Sequence, residues 1–166
     1  MSSLPAEIAE GLYLALAGRL YDRPIGRDVV AWAQQALADE VRSRSLRELA
    51  GLSGDDDYEV EAFLHAACDE LATAVPTDAQ LARGCARLLA RDLVERRIGI
   101  EAGVGLLVDF TVRVGTPAWL ATWPALATEV EHALDRTSGR TLDEVTSEVL
   151  AAARALASAH DDALRD

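Results

Sequence analysis

Residues 98–114, IGIEAGVGLLVDFTVRV, decide the fold class of this chain. Ile100, Val104, Leu107, Val108 and Thr111 recur at intervals of three and four residues, the period of one helical face. The same stretch is rich in β-branched side chains and has glycines at 99, 103 and 105, which a strand also accepts. A strand needs a neighbour to complete its hydrogen bonds, and no second segment reads as one. Helix is the expectation and strand the alternative. Glu101, Asp109 and Arg113 interrupt the apolar run too often for it to span a bilayer. The glycines do not match phosphate-loop spacing and no strand precedes them, so close helix packing is their simpler role.

Outward from this stretch, every other segment has helical period. Leu4, Ile8, Leu12, Leu16 and Leu20 mark a first helix over 4–20, closed by the turn Asp22-Arg23-Pro24-Ile25-Gly26. A second is expected over 28–42, with Val30, Ala33, Leu37 and Val41 inward. Ser45 and Glu48 have capping-box spacing and open a short third helix closed by Gly51 and Gly54. Asp55-Asp56-Asp57 opens a fourth, which Pro76 ends. Thr77 and Gln80 cap a fifth carrying Leu81, Cys85, Leu88 and Leu93. Beyond Gly115-Thr116-Pro117, Pro124 suits the first turn of a helix carrying Leu126, Val130 and Leu134. Ser138-Gly139 turns the chain, and Thr141 with Glu144 caps a last helix. The expected fold is all-α, a compact bundle of about seven to eight helices forming a single domain over 1–166. At 166 residues and 50% hydrophobic content, such a core forms without metal or disulfide.

The formal charge is −12, from 28 acids against 16 basic residues. Nucleic acid and acidic membrane surfaces are disfavoured partners, and a basic protein is a favoured one. All 16 basic residues are Arg, and neither Lys nor Asn occurs, which points to a GC-rich bacterial genome. Two cysteines, Cys68 and Cys85, make no disulfide framework. Without a basic, apolar leader at Met1–Pro5, the expected location is cytoplasmic.

Each candidate site in the sequence also has a plain structural role open to it. Glu61, His65 and Asp69, with Cys68 beside them, share a helical face as metal ligands would, but the face flanks the apolar stripe and reads as solvated. Glu129 and His132 have di-iron spacing without the second pair such sites need. Asp55, Asp56 and Asp57 lack the alternation of a calcium loop. No metal or cofactor is expected. Arg83, Arg87 and Arg91 form an i, i+4 stripe suited to an anion or to acids on neighbouring helices. His160 lies in an acidic tail. Either cysteine sits on or beside an apolar stripe, where thiols are inert.

Two stretches, Gly26 to Ala33 (GRDVVAWA) and Leu46 to Leu71 (LRELAGLSGDDDYEVEAFLHAACDEL), resemble small helical bacterial proteins of unassigned activity. Some of these are of the kind found as immunity partners of secreted toxins. The likeness covers about a fifth of the chain and carries no catalytic signature. It implies a non-enzymatic binding protein.

Eight acids and three Arg lie between Asp39 and Glu61. The leading expectation is thus an acidic protein-interaction module, of immunity type, that occludes a basic partner through Asp55, Asp56, Asp57, Glu59 and Glu61. The alternative is an enzyme or small-molecule-binding protein whose pocket is lined by Tyr13, Trp32, Trp119 and Trp123. If Trp119 and Trp123 share an exposed face, a symmetric homodimer would bury it.

Overall fold

Apolar side chains spaced at three and four residues leave water only if their helices pack, and that packing accounts for every element of the computed structural model. It describes residues 4–137 and 139–159. The elements are α1 (Ala6–Leu16) with a following 3-10 turn (Ala17–Tyr21), α2 (Gly26–Ala38), α3 (Arg44–Ala50), α4 (Asp57–Glu70), α5 (Asp78–Val94), α6 (Ile100–Arg113), a 3-10 turn (Ala118–Leu120), α7 (Trp123–Leu134) and α8 (Leu142–Ser158). The protein is all-α, with eight α-helices and no strand among the described residues. Within residues 98–114, Ile100–Arg113 is helical, as expected. Gly103 shows why a glycine belongs there: a Cβ would collide with the Leu93 side chain, 2.5 Å away.

The chain forms two compact units, Met1–Ala82 and Arg83–Asp166, the division falling within α5. In the first, α1 packs on α2, α2 on α3, and α4 on both α2 and α3. Ile8, Leu12, Leu16, Val29, Ala33, Leu46, Leu49, Val60 and Leu64 are among its buried apolar residues. Each fully buried Leu or Val contributes about 1.5–3 kcal/mol relative to exposure. Trp32 is 6% exposed, and its indole Nε1–H donates to the Ile8 carbonyl at 2.9 Å, which joins α2 to α1. In the second unit α7 packs on α6 and α8 around Val104, Leu107, Phe110, Trp123, Val130, Val145 and Val149.

The helix starts at Thr77 and Thr141 are capped as expected. Gln80 N–H donates to Thr77 Oγ1 and Thr77 N–H to Gln80 Oε1. Thr141 and Glu144 form the reciprocal box, and the Thr141 backbone and hydroxyl lower the Glu144 pKa. The expected box at Ser45 is not formed. Ser43 is the N-cap of α3, accepting from Leu46 N–H at 3.0 Å, while Ser45 Oγ donates to Glu70 at 2.7 Å and Glu48 pairs with Arg44.

Three helices stop earlier than their hydrophobic period suggests. The first gives way to a 3-10 turn at Ala17, α2 ends at Ala38 rather than Arg42, and α4 ends at Glu70 rather than at Pro76. The cause is the same at α2 and α4: a left-handed residue, Glu40 (φ 64) or Ala72 (φ 51), reverses the chain. The next amide then bonds back five residues, Val41 N–H to Ala36 O and Thr73 N–H to Cys68 O. The expected turn at 138–139 begins on Ser138, which lies outside the described residues, as does His160.

Candidate interaction site at the start of α4

Gly54 builds this site. It sits at φ +76, and a Cβ there would stand 2.8 Å from the Arg27 backbone. Opposite it, a Cβ on Gly26 would collide with the Gly54 carbonyl. Two glycines thus let the first turn of α2 touch the segment entering α4, backbone against backbone.

The three aspartates that follow hold this contact. Arg27 Nη2 donates to Asp55 Oδ1 at 2.8 Å, and Arg27 lowers the Asp55 pKa through that bond and its charge. Asp56 is the N-cap of α4, its Oδ1 accepting from Tyr58 N–H at 3.0 Å and Glu59 N–H at 3.3 Å. Asp57 reaches across to α2, where its Oδ1 accepts the Gly26 N–H at 2.8 Å. Neighbouring carboxylates therefore cap two different helices, each satisfying amides that helix geometry leaves open.

Between them Tyr58 is 84% exposed. Glu59 is exposed beside it and Glu61 is half-buried. Val60 and Leu64 take the inward positions of α4, which leaves Tyr58 on the outer side. Sequence periodicity singled out the acids and missed this tyrosine, although its offset from the Val60–Leu64–Ala67 stripe signals it. The arrangement presents fixed negative charge around a solvent-facing phenol. Such a surface recognises guanidinium or ammonium groups by charge and by cation–π contact.

Other candidate residues have structural surroundings. Among the described residues, no group of three His, Cys, Asp or Glu is placed to hold a metal ion. His65 and Asp69 are exposed, whereas Cys68 is buried. Burial raises the Cys68 thiol to about 11, with the Asp69 charge adding, and burial alone raises Cys85 to about 11. Both stay protonated at neutral pH and are poor nucleophiles. Glu129 pairs with Arg140 at 3.5 Å.

Tyr13 and Trp32 belong to the first unit, Trp119 and Trp123 to the second. Trp32 and Trp123 are core residues, and Tyr13 and Trp119 are half-buried. Two surface depressions lie elsewhere, one against Pro24, Arg27, Asp28, Gly54 and Asp55, the other against Leu37, Glu40, Val41, Arg42, Ser43 and Arg47. With Trp123 only 1% exposed, the two indoles do not form an exposed pair on which a dimer would close. No helix among the described residues is long and apolar enough to cross a membrane. Comparison with protein-family profiles, with curated proteins and with solved structures finds no match for this chain.

Proposed function

We propose that the chain is a protein-interaction module whose α4 start binds a basic segment of a protein partner. The observation that carries this reading is Tyr58, 84% exposed on a turn that Asp55, Asp56 and Asp57 hold rigid. Tyrosine supplies a large, stiff contact at little entropic cost, and tyrosines recur among residues that dominate binding energy. A turn already ordered before binding loses little freedom on binding. The excess of acids over arginines, 28 to 16, attracts a basic partner at a distance. In an immunity-type role, the module would occlude the partner's basic working surface.

The test uses substitutions that spare the turn. Tyr58 and Glu59 contribute backbone amides to the Asp56 cap, so Tyr58→Ala and Glu59→Arg leave that cap in place. The immobilised chain and both variants are exposed to a lysate of the source organism. A basic protein retained by the wild type, released by salt and lost from both variants is the expected result. Equal retention by all three overturns the assignment of this surface.

A further inference from the structure

Between the end of α2 and the start of α3 lies a depression of about 400 Å³, against Leu37, Glu40, Val41, Arg42, Ser43 and Arg47. Depressions of roughly 300–1,000 Å³ accommodate small molecules. Backbone sets the shape of this one. Left-handed Glu40 (φ 64) reverses the chain, and Val41 N–H donates to the Ala36 carbonyl at 3.0 Å. Ser43 is fixed in turn, its hydroxyl donating to Glu70 at 2.6 Å and accepting from Leu46 N–H at 3.0 Å. The walls are thus ordered without a ligand, which lowers the entropic cost of binding one.

Three of the lining residues are charged, and all three are exposed. Glu40, Arg42 and Arg47 have no side-chain hydrogen bond or ion pair among the described residues. Arg27, Arg44 and Arg97 are also exposed, yet each takes a carboxylate partner. Glu40 stands two residues from Arg42 and seven from Arg47, around one depression, and pairs with neither. Two nearby acids are already engaged: Glu70 accepts from Ser43, Arg44 and Ser45, and Glu48 from Arg44. Charges of both signs therefore line one space without neutralising each other. Half-buried Leu37 and Val41 add apolar surface to it.

We infer that this depression binds a free α-amino acid with an apolar side chain. Its carboxylate goes to Arg42 and Arg47, because a guanidinium matches the two oxygens of a carboxylate. Its ammonium goes to Glu40, and its side chain covers Leu37 and Val41. Glu40 repels a plain anion and the arginines repel a plain cation, so a zwitterion suits all three charges. Ser43 ties the depression to Glu70 at the end of α4, away from the turn at Asp56. The inference does not depend on the function proposed for that turn.

The experiment titrates the full chain at neutral pH and constant ionic strength, read by calorimetry and by melting temperature. The probes are L-leucine, isocaproate, which lacks the ammonium, and isoamylamine, which lacks the carboxylate. Saturable binding of leucine is expected, with each analogue roughly tenfold weaker or worse. Arg42→Gln and Arg47→Gln should each weaken leucine roughly tenfold. Glu40→Gln should bind leucine and isocaproate equally. Arg154→Gln, which removes an exposed charge elsewhere, should bind like the wild type. All the substituted residues are exposed, so the variants should melt like the wild type without ligand. The inference is overturned if leucine shows no saturable binding, or if isocaproate or isoamylamine binds the wild type as tightly as leucine. It is equally overturned if either of the Arg42 and Arg47 variants binds leucine like the wild type, or if Glu40→Gln still prefers leucine to isocaproate.

Discussion

Glu70 is where single-residue chemistry has its largest structural reach. Its carboxylate accepts from Ser43 Oγ at 2.6 Å, Ser45 Oγ at 2.7 Å, Arg44 N–H at 2.8 Å and Ser45 N–H at 3.2 Å, tying the end of α4 to the start of α3. The Ser43 hydroxyl, then the Ser45 hydroxyl and backbone, pull its pKa from 4.5 to about 2. Since the folded value is the lower one, this stabilisation is complete above the unfolded pKa and is lost as pH falls through the folded one. Stability should therefore decline between about pH 5 and pH 2. Glu70→Gln should lower the melting temperature at pH 7 and flatten that decline, as circular dichroism across a pH series would show. An acid limb unchanged in the variant would remove Glu70 as its source. Glycines give a contrast at the same scale. Gly54→Ala adds a Cβ at positive φ against the Arg27 backbone, and should cost about 2–4 kcal/mol. Gly105→Ala, in α6 with nothing within 4 Å of its Cβ, should stabilise by about 0.5–1 kcal/mol. Denaturant melts of the two variants shifting in the same direction would contradict this contrast.

Helices announce their starts in this chain more clearly than their ends. The caps at Asp56, Thr77 and Thr141 are legible because a capping side chain bonds an amide two or three residues away. The ends of α2, α4, α5 and α7 lie at left-handed Glu40, Ala72, Arg96 and Arg136, not at the glycine that usually marks such a position. Nothing local distinguishes Ala72 from a residue that continues a helix, so the expected fourth helix ran on to Pro76. Of the helix ends described, α6 does use glycine, at Gly115 (φ 84). A Cβ in this conformation costs about 1–2 kcal/mol. Ala72 is exposed, so replacing it should disturb no packing. Ala72→Gly should stabilise by about 1 kcal/mol in urea denaturation. A loss of stability would mean that the added freedom of the unfolded chain outweighs the relieved strain. The acids of the candidate site were legible in the same partial way. Asp56 caps its own helix, but Asp57 acts on Gly26, 31 residues away, and no local spacing encodes that.

The all-α class was readable across the whole molecule because apolar periodicity survives even in the β-branched stretch 98–114. The burial of Trp32 and Trp123 and the exposure of Tyr58 were not, because aromatic residues suit core and surface alike and only packing decides. Charge belongs to this scale. The ion pairs described, among them Arg19–Asp78, Arg27–Asp55 and Arg97–Glu95, all have at least one half-exposed partner, and such pairs contribute about 0–1 kcal/mol each. With 28 acids against 16 arginines, repulsion among carboxylates is the larger long-range effect. Salt screens it within about 10 Å at 0.1 M. The melting temperature should therefore rise between low and moderate sodium chloride. A fall would mean that the surface pairs outweigh the excess.

The contact of Gly26 with Gly54, and the grip of Glu70 on residues 43–45, close the chain on itself at both ends of one region. Neither α2 nor α3 can leave without breaking one of these ties. Amide hydrogens at Gly26, Arg44 and Ser45 are bound by those acidic side chains rather than by helix neighbours. They should exchange with solvent deuterium together, at the opening free energy of the whole α2–α4 region.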